Sequence, residues 1–101
     1  MIRHTVVFRL RHPEGSPGEA DFLATAREQL AVIPGVERFE VLRETGSQGS
    51  YRHSLSMEFA DRHAYAAYNA HPRHTAFVQG RWIPEVEEFL ELDFEPYEAG
   101  A

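Results

Sequence analysis

An α+β fold, a four-stranded antiparallel sheet with both helices on one face in the order β-α-β-β-α-β, is what this sequence predicts. Three observations predict it. Apolar and polar residues alternate over Ile2–Leu10 and over 51–59, with a shorter alternation over 90–94, the period of a half-buried strand. Two stretches, one after the first strand and one after the third, carry apolar residues at helical spacing. The breaks between these stretches are short, and none is long enough to divide the chain, so the 101 residues are expected to form one domain spanning 1–101.

In the first strand His4, Val6, Phe8 and Leu10 share the more apolar face. Residues 11–18 hold two prolines and two glycines and read as a loop. Ser16 followed by Pro17 starts a helix, with serine as N-cap and proline in the first turn. That helix is expected to run to about residue 32, with Phe22, Ala26, Leu30 and Ile33 forming its apolar stripe, and Pro34-Gly35 ends it. A second strand is expected over 36–44, with Phe39 and Val41 inward, followed by a polar loop over 45–50. The third strand, 51–59, puts Tyr51, His53, Leu55, Met57 and Phe59 on one face. Asp61 caps the second helix, which Pro72 interrupts because proline lacks an N–H and disfavours a helical residue before it. A short helical piece over 72–79, a break at Gly80 and a further helical stretch over 82–89 are expected next. The last strand alternates Leu90, Leu92 and Phe94 with Glu91, Asp93 and Glu95, and Pro96 stops it before a short tail. The element order is that of the split-βαβ, ferredoxin-like arrangement. On the expectation that apolar faces lie under the helices, the opposite face carries Arg3, Arg9, Arg52, Glu58, Glu91 and Asp93.

Composition narrows the functional classes. There is no cysteine, so thiolate chemistry and disulfides are excluded. Every one of the ten basic residues is arginine, so Schiff-base chemistry on a lysine is excluded as well. A formal charge of −6 with the arginines spread along the chain argues against nucleic acid as a partner. No apolar run reaches the roughly 18 residues of a membrane span, and the N-terminus enters a strand at once without a signal-peptide layout. A cytoplasmic protein without a membrane partner is the expectation.

Residues 65–78 concentrate the chemistry: Tyr65, Tyr68, His71 and His74 fall within ten residues, with Pro72 among them. Read from the residues alone, His71-Pro72 shapes the helix exit, and His74 either caps backbone there or serves a site. His4, on the apolar face of the first strand, reads first as a satisfied core histidine, with a pocket residue as the alternative. His53, His71, Phe77 and Trp82 are candidate pocket-lining residues. The pair His71-x-x-His74 invites a metal reading. Yet zinc sites want three or four ligands, and Pro72 disrupts the helix that would align the two, so no metal and no cofactor is expected. Glu85, Glu87 and Glu88 read as a solvated helix face.

The chain resembles the stress-responsive α/β-barrel (Dabb) family of dimeric α+β barrel proteins. The residues that carry the resemblance are Arg3-His4-Thr5-Val6-Val7-Phe8-Arg9-Leu10, Ile33-Pro34-Gly35-Val36, Met57-Glu58-Phe59, Tyr68-Asn69-Ala70-His71-Pro72-Arg73-His74 and Asp93-Phe94-Glu95-Pro96. The resemblance implies a homodimer joined through the sheet faces. It also implies a pocket like that of a plant cyclase of the family, which closes a poly-β-keto chain by aldol condensation without a cofactor. In that pocket the working histidine matches His74, its supporting tyrosine matches Tyr68 and a first-strand histidine matches His4. The implied function is a cofactor-independent, polyketide cyclase-like enzyme acting on a phenolic or poly-β-keto small molecule. Two alternatives stand beside it: a non-catalytic dimer that binds a small ligand, and a cofactorless monooxygenase.

Overall fold

The computed structural model describes residues 1–46 and 49–98. The loop expected over 45–50 and the tail after Pro96 fall partly outside them. Strand β1 (Ile2–Leu10) leads into helix α1 (Pro17–Leu30), then strands β2 (Glu37–Arg43) and β3 (His53–Phe59). Helices α2 (Arg62–Ala70) and α3 (Pro72–Phe77) follow, and strand β4 (Val86–Phe94) closes the chain. The sheet order is β2-β3-β1-β4 with all neighbours antiparallel. This is the expected α+β architecture.

Local sequence accounts for each helix boundary. The Ser16 hydroxyl accepts from the Glu19 N–H at 3.2 Å and caps α1, and Asp61 accepts from the Ala64 N–H at 2.8 Å and caps α2. Gly35 ends the α1 connection at φ +92°, a conformation open to glycine, and its Cα side faces the Ala64 methyl. Between α2 and α3, His71 is extended (φ −68°, ψ 137°) because it precedes Pro72. Its Nδ1 accepts from the Arg73 N–H at 3.1 Å, so His71 serves as the cap of α3.

The core lies between the sheet and the helices. The strand alternation is realised in β1, where Ile2, His4, Val6, Phe8 and Leu10 are buried and the intervening residues are not. Phe8, Phe22, Phe59, Leu55 and Met57 are its largest enclosed apolar side chains. Each stabilises the fold by about 1.5–3 kcal/mol relative to exposure. Phe8, Phe22, Phe77 and Trp82 form a continuous run of tilted rings from β1 through α1 to α3 and beyond.

Two expectations are corrected. The helix expected over 82–89 is instead a π-helical turn (Val78–Trp82), a single α-turn (Ile83–Glu85) and the start of β4. Val86 is extended (φ −93°, ψ 123°), and from there β4 pairs with β1 along nearly its whole length. The ladder hydrogen bonds outweigh the weak helical signal after Pro84. Glu85, Glu87 and Glu88 are accordingly not a solvated helix face. Glu85 pairs with Arg81 and His12, while Glu87 and Glu88 lie on β4 and pair with Arg9.

The second correction concerns the two faces of β4. Asp93 lies opposite His4 and Glu91 opposite Val6, so both acids are on the helix side. Leu90, Leu92 and Phe94, opposite Val7, Thr5 and Arg3, are on the open face. They are 47%, 38% and 52% exposed. Arg3, Arg9 and Glu58 do lie on the open face as expected, where Arg3 and Arg38 both hold the Glu58 carboxylate. Arg52, just before β3, reaches Glu14 in the first loop.

Candidate functional site

A cavity of about 340 Å³ lies between the helix side of the sheet and the segment from α3 to Ile83. Most of its wall is apolar: Val6, Leu30, Leu55, Met57, Phe77, Val78, Trp82, Ile83 and Phe89. Four polar side chains interrupt that wall, namely His4, Tyr68, His74 and Glu91. An apolar enclosure with a few polar groups is the usual form of a small-molecule site. On the side of β4, an edge strand, the lining residues Phe89 and Glu91 stay exposed.

Tyr68 projects from α2 and is 2% exposed. Its ring centroid is 4.6 Å from that of His74 on α3 and 6.3 Å from that of His4 on β1. The break at Pro72 produces this approach: it turns α3 relative to α2, so that residues six apart in sequence face each other. Burial holds the Tyr68 phenol above its ordinary pKa, and the charges of Tyr65 and Glu91 act in the same sense. The phenol therefore stays protonated and can donate. Burial lowers the His74 pKa, with the His4 imidazole acting in the same direction and the Asn69 backbone opposing. His74 is therefore neutral near pH 7 and keeps a lone pair.

His4 is 5% exposed and has two partners on one nitrogen. Its Nδ1–H donates to Asp93 Oδ1 at 2.6 Å and faces the Tyr65 hydroxyl oxygen at 2.9 Å. Tyr65 in turn donates to Asp93 Oδ2 at 3.0 Å. With Nδ1 committed to a carboxylate, the tautomer of neutral His4 is fixed and Nε2 carries the lone pair. The Tyr65 phenol is raised well above its ordinary pKa, first by burial and then by Asp93. Its proton therefore stays in place to hold the carboxylate.

The structure thus brings together His4, Tyr68, His74, Phe77 and Trp82. It does not bring in His71, which caps α3, or His53. His53 sits at the opposite end of the β1–β3 ladder beside Phe8, and it borders a separate polar depression with Glu19, Arg43 and Arg52. Sequence reasoning missed Asp93 and Glu91, which it put on the other face, and gave Tyr65 no role at the site. The spacing Tyr65–Tyr68 on one helix face was the available signal for Tyr65. Nothing in the alternation of β4 marked which of its faces turns inward. Among the described residues no group of three histidine, aspartate or glutamate side chains is placed to hold a metal ion. No helix among them is long and apolar enough to cross a membrane.

The segment that forms the cavity's outer wall is tied to α1. Arg81 donates to Asp21 at 2.8 Å and to Thr25 at 3.1 Å, and also pairs with Glu85. His12 reaches Glu85 at 2.7 Å from the first loop. The short i,i+4 pair with Arg81 holds the Glu85 carboxyl below its ordinary range, and His12 acts in the same sense.

Comparison with known proteins places this geometry in a family. The model of the stress-responsive A/B barrel domain (Dabb) matches residues 2–96. A crystal structure of a Dabb family protein with a ferredoxin-like fold from Mesorhizobium loti is 52% identical, covering 96% of this chain and 97% of that one, with a TM-score of 0.94. Hydroxynitrile lyase from Passiflora edulis shares the fold at 14% identity, covering 99% and 96% of the two chains, with a TM-score of 0.83. A dimeric ferredoxin-like protein of unknown function from Thermobifida fusca does so at 24% identity, covering 92% and 88%, with a TM-score of 0.72. No significant match is found among curated proteins.

Proposed function

This chain belongs to the stress-responsive A/B barrel domain family, and on that footing we propose that it is a cofactor-independent acid–base enzyme for a small, largely apolar carbonyl compound. The observation that carries the reading is the single cavity wall on which a neutral histidine, a protonated tyrosine and an oriented second histidine meet. His74 is the base that takes a proton from the substrate. Tyr68 donates to the oxygen on which charge develops. His4, held by Asp93 and Tyr65, orients the substrate through Nε2. Aldol closure of a poly-β-keto chain needs these two functions, a base and a donor. So does cleavage of a hydroxynitrile, the activity for which the Passiflora edulis protein is named.

The partner in this reading is a second copy of the chain, docked sheet to sheet. Leu90, Leu92 and Phe94 support it, because they form an exposed apolar row on the face away from the helices. The Thermobifida fusca neighbour is described as dimeric.

The test is a panel of phenolic and poly-β-keto compounds, followed by NMR of the imidazoles and by product formation, for the wild type, His74→Ala and Tyr68→Phe. Turnover that both substitutions reduce while binding persists supports the enzyme. Binding that survives His74→Ala with no turnover in any variant supports a ligand-binding dimer instead.

A further inference from the structure

We infer that Glu91 makes this cavity selective for ligands with a basic amine, so that the apolar carbonyl compound it takes carries an amine rather than a carboxylic acid group. The inference rests on reading the cavity as a ligand site. It goes beyond that reading by assigning the ligand's charge.

Few charged groups surround the cavity. No arginine lines it, and lysine is absent from the sequence. His4 contributes no net positive charge together with Asp93, since the pair is neutral when the imidazole is protonated and negative when it is not. His74 is half-buried among apolar groups and favours its neutral form. Glu91 is the remaining full charge. Glu91 stands opposite Val6 on the helix side of β4, two residues from Phe89 on the same face, and no ion pair among the described residues includes it. The other glutamates of this region, Glu85, Glu87 and Glu88, are all paired with arginine.

Glu91 is close enough to bias Tyr65, Tyr68 and His74, so its field reaches across the cavity. Low-dielectric walls strengthen that field relative to open water. Aromatic rings line the same cavity: Trp82 and Phe89 meet edge to face with centroids 5.5 Å apart, and Tyr68 lines it as well. A carboxylate beside aromatic faces favours an organic cation through both charge and ring quadrupole. It disfavours an anion of the same shape by like-charge repulsion.

Three isosteric probes test this at pH 7.5: 4-hydroxyphenylethylamine, 4-hydroxyphenylethanol and 4-hydroxyphenylacetate, titrated into wild type and Glu91→Gln by calorimetry. The expected wild-type order is amine tightest and acid weakest, with at least about a tenfold span. In Glu91→Gln the span should shrink to about twofold, with the amine losing most affinity and the alcohol less. If the alcohol binds and the amine binds no tighter, or if Glu91→Gln keeps the wild-type order, the charge selectivity is overturned while the cavity remains a ligand site. If none of the three binds saturably to the wild type, the selectivity and the ligand-site reading fall together.

Discussion

His4 and Asp93 are cross-strand partners on β1 and β4, and their side chains meet at 2.6 Å on the helix side of the sheet. A buried imidazole is thereby tied to a half-exposed carboxylate, with the Tyr65 hydroxyl touching both. The arrangement fixes which nitrogen of His4 carries the proton, and so which lone pair is offered to the cavity.

Asp93→Asn should unfix that choice. An asparagine can either accept from Nδ1–H or donate to a bare Nδ1, so both tautomers become accessible. The side-chain ¹⁵N shifts of His4 should report a single Nδ1–H tautomer in neutral wild-type protein and a mixture in the variant. Turnover, once a substrate is found, should drop by about 10²-fold, the low end of what a correctly positioned acid–base group contributes. An unchanged single tautomer in the variant would remove Asp93 from this role.

Tyr68 separates packing from chemistry. Its ring is part of the core, so Tyr68→Ala should cost about 3–5 kcal/mol in chemical denaturation. Tyr68→Phe keeps the ring and removes a hydroxyl that has no hydrogen bond among the described residues, so it should cost less than about 1 kcal/mol. The same variant should lose about 10²-fold in turnover, the scale for removing one donor to a developing oxyanion. A Phe variant that is fully active would exclude Tyr68 as the donor.

The lowered pKa of His74 has a defined pH signature. The folded protein favours the neutral imidazole, while the unfolded chain titrates near the usual value of about 6.5. Below that value the unfolded state binds more protons, so stability falls as pH falls and is fully present above it. Between about pH 7.5 and 5.5 the wild type should therefore lose more unfolding free energy than His74→Gln. The Glu85 carboxyl is also shifted down, by Arg81, and its contribution is lost only at lower pH. Parallel stability curves for the two proteins over the window would contradict the assignment.

The open face of the sheet makes a prediction about assembly. Wild-type protein should sediment as a dimer, and Leu92→Arg with Phe94→Glu should sediment as a monomer with unchanged circular dichroism. A monomeric wild type at the same concentration would refute sheet-to-sheet pairing.

The architecture was legible because β1 and β3 alternate cleanly and the helix boundaries carry their own signals, namely Ser16-Pro17, Pro34-Gly35 and Asp61. The site was legible at His4, Tyr68 and His74 only with the family resemblance, because Pro72 stands between Tyr68 and His74 and helical spacing cannot cross it. The error at β4 has a general cause. Alternation shows that the two faces of a strand differ, and assigning the apolar one to the core assumes that the other face meets water. In β4 the apolar row Leu90, Leu92 and Phe94 faces away from the helices. The acids Glu91 and Asp93 face toward them. Register with β1 decides the matter, and register is a long-range property. Pro84 misled for a different reason. It begins a helical turn as its chemistry suggests, but the turn ends at Glu85 because β1 recruits the chain from Val86 onward.

The π-turn at Val78–Trp82 is closed by the Ile83 N–H donating to the Val78 carbonyl, five residues back. Such a turn is an α-helix holding one residue more than it needs. Excising Gln79 or Gly80, both exposed, would let an ordinary α-helical ladder form. Each residue of a helix advances the side-chain direction by about 100°. Trp82 and Ile83 would swing out of the cavity wall by that amount without either being mutated. The length of this segment is therefore a heritable variable in its own right: insertion or deletion at one codon can reshape the cavity while every side chain that lines it stays the same.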